Sequence, residues 1–513
     1  MTDWFYTDIV KDHFFNPRNI AKSEEEMKAF MKKANGHGQV GSPACLVKDT
    51  HIHEKDKMEK ISKIGRGVDV INGEGGYNKV TETYKRKVNE EVIKIKNQLG
   101  EAILTKDHLI YVIPLPLKDY YIHNKAKKKI PPTWVHAGEV KKRDICLYPI
   151  SRLIKDKKYV EIPLNKRLFD YKSKKIPSKV RVTPQLLKLL GFFVAEGSTK
   201  ENAGDICFSF NINEESFIDY VKRALKEIFD LDASMSIKRE QNKIDVLVYN
   251  VHLARYLRDS CGKGASYKRV PKSILSLRPE LQKNFIYALW HGDGYISLDP
   301  KKPRAEYSTT SRELVNQLKI LLLRQKIKHS IYIEPPKKVN GVNHKQCYRV
   351  HVGEYEALKK MSKILKVNFY YPKINRKVEN SWFENNFYYL PIKKVEKTKY
   401  KGEVFNLEVE QTHTYLSESL ILHNCGDVMD MWIYVKDNKI KECRWRTFGC
   451  ASAIASTSIL SEMIIGMSIE KAMKIRPQDI VKGLGDLPAR KLHCSVLGDK
   501  ALRAAIEDYK NKK

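Results

Sequence analysis

The sequence has no paired set of cysteines. Nine are scattered over 513 residues without a pairing rhythm, which excludes a disulfide-framed secreted domain. It also lacks any long apolar run: the most apolar C-terminal stretch, CASAIASTSILSEMIIGM, is broken by Ser, Thr and Glu, so no membrane span is expected. The opening MTDWFYTDIVKDHFF offers neither a basic nor an apolar leader, and a reducing cytoplasm is the expected location. Any thiol chemistry must then come from particular cysteines. Acidic charge is short as well, with 61 Asp and Glu against 94 Lys and Arg, a formal net charge of +33.

That surplus is unevenly spread. Residues 1–44 carry 6 basic and 6 acidic side chains, residues 425–513 carry 16 and 11, and residues 45–424 hold the remaining 72 against 44. A middle this basic suits polyanions, although a lysine-rich solvated surface would give the same total. Length alone suggests about three to four domains.

Texture divides the chain at the same places. Residues 1–44 read as helical and close on GHGQVGSPA, a glycine- and proline-containing loop. From Cys45 the pattern turns to β-type segments such as AILTKDHLIYVIPLPL and DICLYPI, as in a half-buried all-β unit. Between about Val182 and Leu365 a repeat appears. LLGFFVAEG is followed by a helical stretch and by ASMSIKRE and KIDVLVYN; YALWHGDG is followed by a helical stretch and by HSIYIEPP and KQCYRVHV. β-type texture returns near Tyr389 and ends at LILHN. After Cys425, MWIYVKDNKIKECRWRTFG alternates with period two around Asp437-Asn438, which predicts a hairpin, and CASAIASTSILSEMIIGM predicts a helix.

Removing 45–424 in thought joins GQVGSPA to CGDVMDMWIYV. The composite closely resembles the IscU/NifU-type iron-sulfur cluster assembly scaffolds, from DHFFNPRN through CGDVMD and TFGCASAIASTS to KLHCSVL. The resemblance implies that Cys425, Asp427, Cys450, His493 and Cys494 hold a nascent cluster, expected as 2Fe-2S, or an iron or zinc ion. It further implies a non-catalytic α+β scaffold that works with a cysteine desulfurase and recipient apoproteins. Thiolates are the ligands such cargo selects, and Cys450 stands just before an expected helix N-terminus, where a thiol pKa falls. Cys443, inside the hairpin, reads instead as a small buried hydrophobe. Chaperone-served members carry Leu-Pro-Pro-Val-Lys where this chain has Leu487-Pro488-Ala489-Arg490-Lys491, so the resemblance does not extend to chaperone docking. The sequence after KLHCSVL holds no further cysteine-rich stretch, and the longer modular architecture of that family is not expected.

The segment between begins with Cys45, ends in His423-Asn424 and is followed by Cys425. That set suffices to cut and rejoin a chain: a thiol can convert an amide to a thioester, a second thiol can accept the acyl group, and an asparagine can cyclise to release the segment. The arrangement resembles inteins of the all-β Hint fold. CLVKDT stands as the first block, GEAILTKDH supplies a Thr-x-x-His block, and VFNLEVEQTHTYL with LILHN supplies the last two. The resemblance implies that Thr105 and His108 activate the Ala44-Cys45 amide and that His413 and His423 assist Asn424. Asn406 stands where many inteins place an aspartate. A neutral amide can orient a thiol but cannot take its proton.

LLGFFVAEG and YALWHGDG resemble the paired motifs of LAGLIDADG homing endonucleases. Gly191 and Ala195, with Ala288 and Gly292, are small residues four apart that let two helices approach. Glu196 and Asp293 would then emerge side by side. The resemblance implies a pseudo-twofold α/β domain that binds double-stranded DNA in the major groove, with Mg²⁺ held between the two acids. The domains expected are thus a scaffold segment over 1–44, a splicing domain over 45–180 and 386–424, an endonuclease over 181–385, and the rest of the scaffold over 425–513. Two alternatives stay open: an endonuclease that binds DNA without cutting it, and a precursor that no longer splices.

Overall fold

The computed structural model describes residues 7–512 apart from 22, 41–44, 56, 116–129, 153, 165–173, 201–203, 340, 370–379, 424–427, 449–450 and 488–491. Three large hydrophobic cores organise them. The first draws on residues between Leu46 and Tyr148 and between Trp382 and Leu422, mostly on strands, with Leu323 of helix Arg312–Arg324 packed among them. The second lies between Val160 and Phe369 and is built around helices. The third, from Met429 to Ile506, belongs to the C-terminal region of the chain.

Two sheets surround the all-β core. The larger runs Trp382–Glu384, Phe387–Pro391, Ile145–Pro149, Leu109–Ile113, Ile421–His423, Thr414–Leu416, with Thr133–His136 paired beside Leu109–Ile113. The other runs Lys394–Val409, Leu46–Val47, Gly100–Thr105, Tyr77–Asn97, Asp69–Ile71. Lys394–Val409 also pairs along Tyr77–Asn97, which closes four of these strands on one another. Leu46 pairs with both Phe405 and Leu104, so the first residues of the insert sit between strands from its two ends.

The repeat folds twice the same way. Helix Pro184–Glu196 leads into the sheet Gly197–Thr199, Asp205–Asn211, Lys243–Tyr249, Ser234–Lys238; helix Pro279–Asp293 leads into Gly294–Ser297, Arg304–Thr309, Cys347–Val352, Ser330–Glu334. Both helices take Pro in the first turn, where its missing N–H is harmless. The pair Tyr159–Glu161 and Lys179–Arg181 packs into this helical core through Val160 and Val180, ahead of the boundary expected at residue 181.

The N-terminal residues and the C-terminal region share one fold. Gly36–Val40, expected as loop, is a strand that pairs with Val428–Lys436, which in turn pairs with Lys439–Phe448. The glycines that suggested a loop answer to packing: a Cβ on Gly38 would lie 2.1 Å from the Ala501 carbonyl oxygen, and one on Gly36 would lie 2.5 Å from that of Ala505, both in helix Leu492–Asn511. Other ties span the insert. Trp445 Nε1 donates to the Arg18 carbonyl at 2.9 Å, Asn35 exchanges bonds of 2.7 and 2.8 Å with the Val435 backbone, and the Asp508 carboxylate accepts from the His37 amide at 2.9 Å. The hairpin turns at Asp437 and Asn438, both with positive φ, as expected for a two-residue turn. Among the described residues no helix is long and apolar enough to cross a membrane.

Candidate functional sites

The two repeat helices meet at their small residues. A Cβ on Gly191 would come within 2.8 Å of Ala288 Cβ, and one on Gly292 within 2.5 Å of Ala195 Cβ and 3.3 Å of Glu196 Oε1. Only glycine permits that approach, and it delivers Glu196 and Asp293 together at the helix ends. Burial first, then the neighbouring Asp293 and Glu214, push the Glu196 carboxyl up to about 8. Burial raises Asp293 too, against the pull of Lys268. Lys268 was not singled out from the sequence, since it stands outside both helical motifs and no periodicity marks it. Its ammonium is buried between the helix ends, donating to the carbonyls of Phe193 at 2.7 Å and Gly197 at 2.5 Å. Burial lowers its pKa, opposed by Cys261, Asp293 and Glu196. Two hard carboxylates held in mutual repulsion fit a divalent cation such as Mg²⁺. Among the described residues no group of three or more His, Cys, Asp or Glu could hold a metal, so further ligands would come from water or phosphate.

The sheet faces turned away from these helices are polar, with their cations paired to carboxylates, Arg304 to Glu306 at 3.5 Å and Arg349 to Glu334 at 3.1 Å among them. In the first repeat Asp245 is bridged by Lys238 and Lys243 at 3.0 Å each, with Ser209 Oγ donating at 2.8 Å. Burial opposes this, but the three partners hold the Asp245 carboxyl down to about 2. In the second, Arg304 lies over Tyr295 and Arg349 over Tyr332, 5.1 and 5.7 Å from the ring centroids, and both rings are about half exposed.

At the start of the insert Cys45 is fully buried. Its amide donates to Thr105 Oγ1 at 3.0 Å, and its carbonyl accepts from the Thr105 amide at 2.9 Å. The Thr105 carbonyl in turn accepts from the His108 amide at 3.1 Å, a turn that brings the imidazole back toward Cys45. Burial holds His108 down to about 3, opposed by the Cys45 backbone. A neutral ring follows, and neither nitrogen has a hydrogen-bond partner among the described residues. Burial pushes the Cys45 thiol up to about 11, opposed by the Arg86 guanidinium. Asn406, on the strand facing Leu46, accepts from Tyr415 Oη at 2.6 Å and from the Leu407 amide at 2.8 Å, while its amide nitrogen has no partner among the described residues. Tyr415 and His108 stand ring edge to ring face, 6.4 Å apart.

The end of the insert is a short hairpin in which Thr414 faces His423. His413, at positive φ, lies 3.1 Å from Glu408 Oε1 through Nδ1, and the His423 ring meets Trp134 edge-on at 4.9 Å. Asn424, Cys425, Asp427 and Cys450 lie outside the described residues, as does 488–491. His493 and Cys494 stand in the first turn of helix Leu492–Asn511. The pairing of Val428 with Phe448 places the chain just after Cys425 beside the chain just before Cys450. Cys443 is buried on the hairpin, its thiol pushed up to about 12 by burial, as expected of a packing residue.

Comparison with known proteins follows the same division. Residues 408–513 match the NifU-like N terminal domain, and residues 280–366 match the LAGLIDADG-like domain. The chain carries both domains. The LAGLIDADG match covers the second repeat, with Asp293 inside it; the first residues of the NifU-like match, up to His423, are built into the all-β sheets. Iron-sulfur cluster assembly scaffold protein IscU 1 of Archaeoglobus fulgidus is 51% identical over 85 residues, 17% of this chain and 56% of its own length. Two longer similarities are to an uncharacterized protein of Methanocaldococcus jannaschii, 28% identical over 419 residues, and to ATP-dependent DNA helicase Hel308 of Thermococcus kodakarensis, 26% identical over 442. They take in 76% and 79% of this chain, which spans 51% and 38% of their lengths. Among solved structures the homing endonuclease I-DmoI aligns with 37% of this chain and 98% of its own, at 13% identity and a TM-score of 0.28, too low to add to the assignment.

Proposed function

We propose that the chain is a precursor in which an autocatalytic splicing element with a DNA endonuclease interrupts an iron-sulfur cluster scaffold. The observation that carries this reading is the environment of Cys45. Thr105 takes the amide hydrogen of the bond to be broken, and a buried neutral His108 stands beside it, at the point where the scaffold strand Gly36–Val40 gives way to a separate all-β core. The similarity to a DNA helicase supports it too: an alignment over 79% of this chain must include most of residues 45–424, so a related middle occurs in a protein with a different printed name.

In the proposed sequence Cys45 Sγ bonds to the Ala44 carbonyl carbon, the Ala44–Cys45 C–N bond breaks, and the nitrogen gains the thiol proton by way of His108. Cys425 Sγ then takes the acyl group and Cys45 regains its thiol. The Asn424 side-chain nitrogen closes on its own carbonyl carbon and expels the Cys425 amine, with His413 and His423 moving protons. That amine attacks the thioester and restores a peptide bond. The joined scaffold carries its cluster on Cys425, Asp427, Cys450, His493 and Cys494, receives sulfur from a cysteine desulfurase and passes clusters to apoproteins.

In the excised protein the two polar sheet faces would lie in the major groove, and Glu196 and Asp293 would hold Mg²⁺, which when bound activates water and stabilises the leaving oxygen. Lys268 balances the paired carboxylates. Mass spectrometry after expression tests the splicing reading: the unmodified chain should give a 133-residue scaffold and a 380-residue excised protein, and Asn424→Ala should block the release of the C-terminal segment. A reduced, folded sample containing only the intact 513-residue chain would refute it.

A further inference from the structure

Helix Arg312–Arg324 belongs to the second LAGLIDADG repeat, yet three of its charges leave that repeat, Arg324 by a 3.1 Å bond from Nη2 to Ser151 Oγ. Arg312 Nη2 donates to Glu418 Oε2 at 2.8 Å, and Lys319 Nζ donates to the Glu418 backbone carbonyl. Lys319 is fully buried, 5.2 Å from the centroid of the Tyr148 ring, and Glu418 is 4% exposed. Glu418 sits in the turn 417–420, which joins Thr414–Leu416 to Ile421–His423. The endonuclease helix thus grips the hairpin that ends at the C-terminal splice junction.

The turn is held from every side. Ser417 and Leu420 close it through a 2.9 Å backbone bond, while Ser417 Oγ donates to the Leu420 carbonyl and accepts from the Leu420 amide, each at 3.0 Å. Asn97 Nδ2 donates to the Ser419 carbonyl at 2.8 Å, and the Glu418 amide donates to the His51 carbonyl at 3.1 Å. Gly100 leaves room for it, since a Cβ there would meet Glu418 Cγ at 2.9 Å. Apolar side chains could glue two domains together at less cost than a buried lysine, which must be desolvated. What charged groups add is direction: two donors from one helix fix both the side chain and the carbonyl of a single residue. A strand-register error of one residue would turn His423 to the opposite face.

We propose that Arg312 and Lys319 are positioning residues for the release step of splicing. By holding the 417–420 turn they fix the register of the strand that carries His423, the residue before Asn424 in sequence, so the endonuclease domain takes part in splicing. This rests on the splicing reading. The residue before Arg312 ties the same end of the helix to the neighbourhood of the paired acids, since Ser311 Oγ, its N-cap, donates to the Lys268 carbonyl at 2.6 Å.

The test separates the two junctions in the full chain. A Cys45→Ala background reports cleavage before Cys425, and an Asn424→Ala background reports thiol-triggered cleavage before Cys45. Arg312→Glu, Glu418→Arg and Lys319→Met should each slow the first about tenfold or more and leave the second within about twofold, because misplacement of a reacting group costs rate steeply. The exchange Arg312→Glu with Glu418→Arg, and Lys319→Arg, should recover most of the loss. Unchanged release in the single variants overturns the proposal. Equal slowing at both junctions, with no recovery in the exchange, also overturns it, since that is the mark of a merely structural contact. Absence of cleavage at both junctions in the chain without these variants defeats the splicing reading itself.

Discussion

Glu196→Gln should make the protein more stable at alkaline pH while abolishing DNA cleavage. The carboxyl rises from its ordinary 4.5 to about 8, first through burial and then through Asp293 and Glu214. The sign follows from proton occupancy. Between pH 4.5 and 8 the folded chain holds a proton that the unfolded chain has lost, so stability falls as pH rises through that window. The deficit is absent below about 4.5 and complete above about 8. At about 1.4 kcal/mol per pH unit its ceiling is about 5 kcal/mol; solvent reaching a site that is not fully buried reduces this to about 2–3 kcal/mol. Glutamine keeps the shape and carries no charge, so the variant should gain that amount at pH 9 and almost none at pH 4. Urea unfolding followed by thiol labelling of Cys261, read by peptide mass, suits the measurement, because that side chain is fully buried in the same core as both helices. A local signal is preferable to a global one in a chain with several cores. Added Mg²⁺ should raise the midpoint of the unmodified chain at pH 9 and leave that of the variant unmoved. A Glu196→Gln variant that is no more stable at pH 9 than the unmodified chain would refute the reasoning, because the carboxylate would then not be held against a cost.

Gly292→Val should destabilise the LAGLIDADG domain by about 1–3 kcal/mol, the usual cost of overpacking, because its Cβ would stand 2.5 Å from Ala195 Cβ; an unchanged urea midpoint for Cys261 labelling would contradict the close approach. Thiol-triggered cleavage at Cys45 should accelerate about tenfold per pH unit from 7 toward the thiol's value near 11, since the reactive thiolate fraction grows in that proportion. A flat profile between pH 7 and 9 would show that deprotonation of Cys45 does not limit the step.

What could be read from the sequence was whatever a short window decides. The repeat helices, their small residues and the paired acids recur in one local pattern, and the folded sheets follow the same strand order twice. The Asp437-Asn438 hairpin and the packing role of Cys443 were legible for the same reason. Gly36–Val40 was not. Its glycines are loop signals locally and close-packing residues only in the presence of helix Leu492–Asn511, more than 450 positions away. Lys268 and Glu418 were missed on similar grounds: a charge on an otherwise ordinary segment reads as solvent-exposed until the fold surrounds it. Asn406 falls between the two cases. Its departure from the intein pattern was visible, but its engagement with Tyr415 and Leu407, which ties up the oxygen and leaves the amide nitrogen available, depends on how the chain bends between Lys394–Val409 and Thr414–Leu416.

The junction stretch LILHNCGDVMD gains a physical meaning from the pairing on either side of it. His423 faces Thr414 in the seven-stranded sheet, and Val428 faces Phe448 in the three-stranded one. At the other end Val40 faces Met429, while Leu46 faces Phe405 and Leu104. The chain therefore crosses twice, within a few residues, between cores that share no buried side chain. The scaffold's strand pairing, its buried Trp445 and its bonds between residues 13–37 and 435–508 already exist with the insert in place. Excision on this reading changes covalent continuity and not the fold of the flanks, so the scaffold itself holds the two ends near each other for joining. That proximity lowers the entropic cost of transfer between Cys45 and Cys425. On the proposed reading Cys425 would then have two successive tasks at one position, first as acyl acceptor and then as a ligand of the cluster.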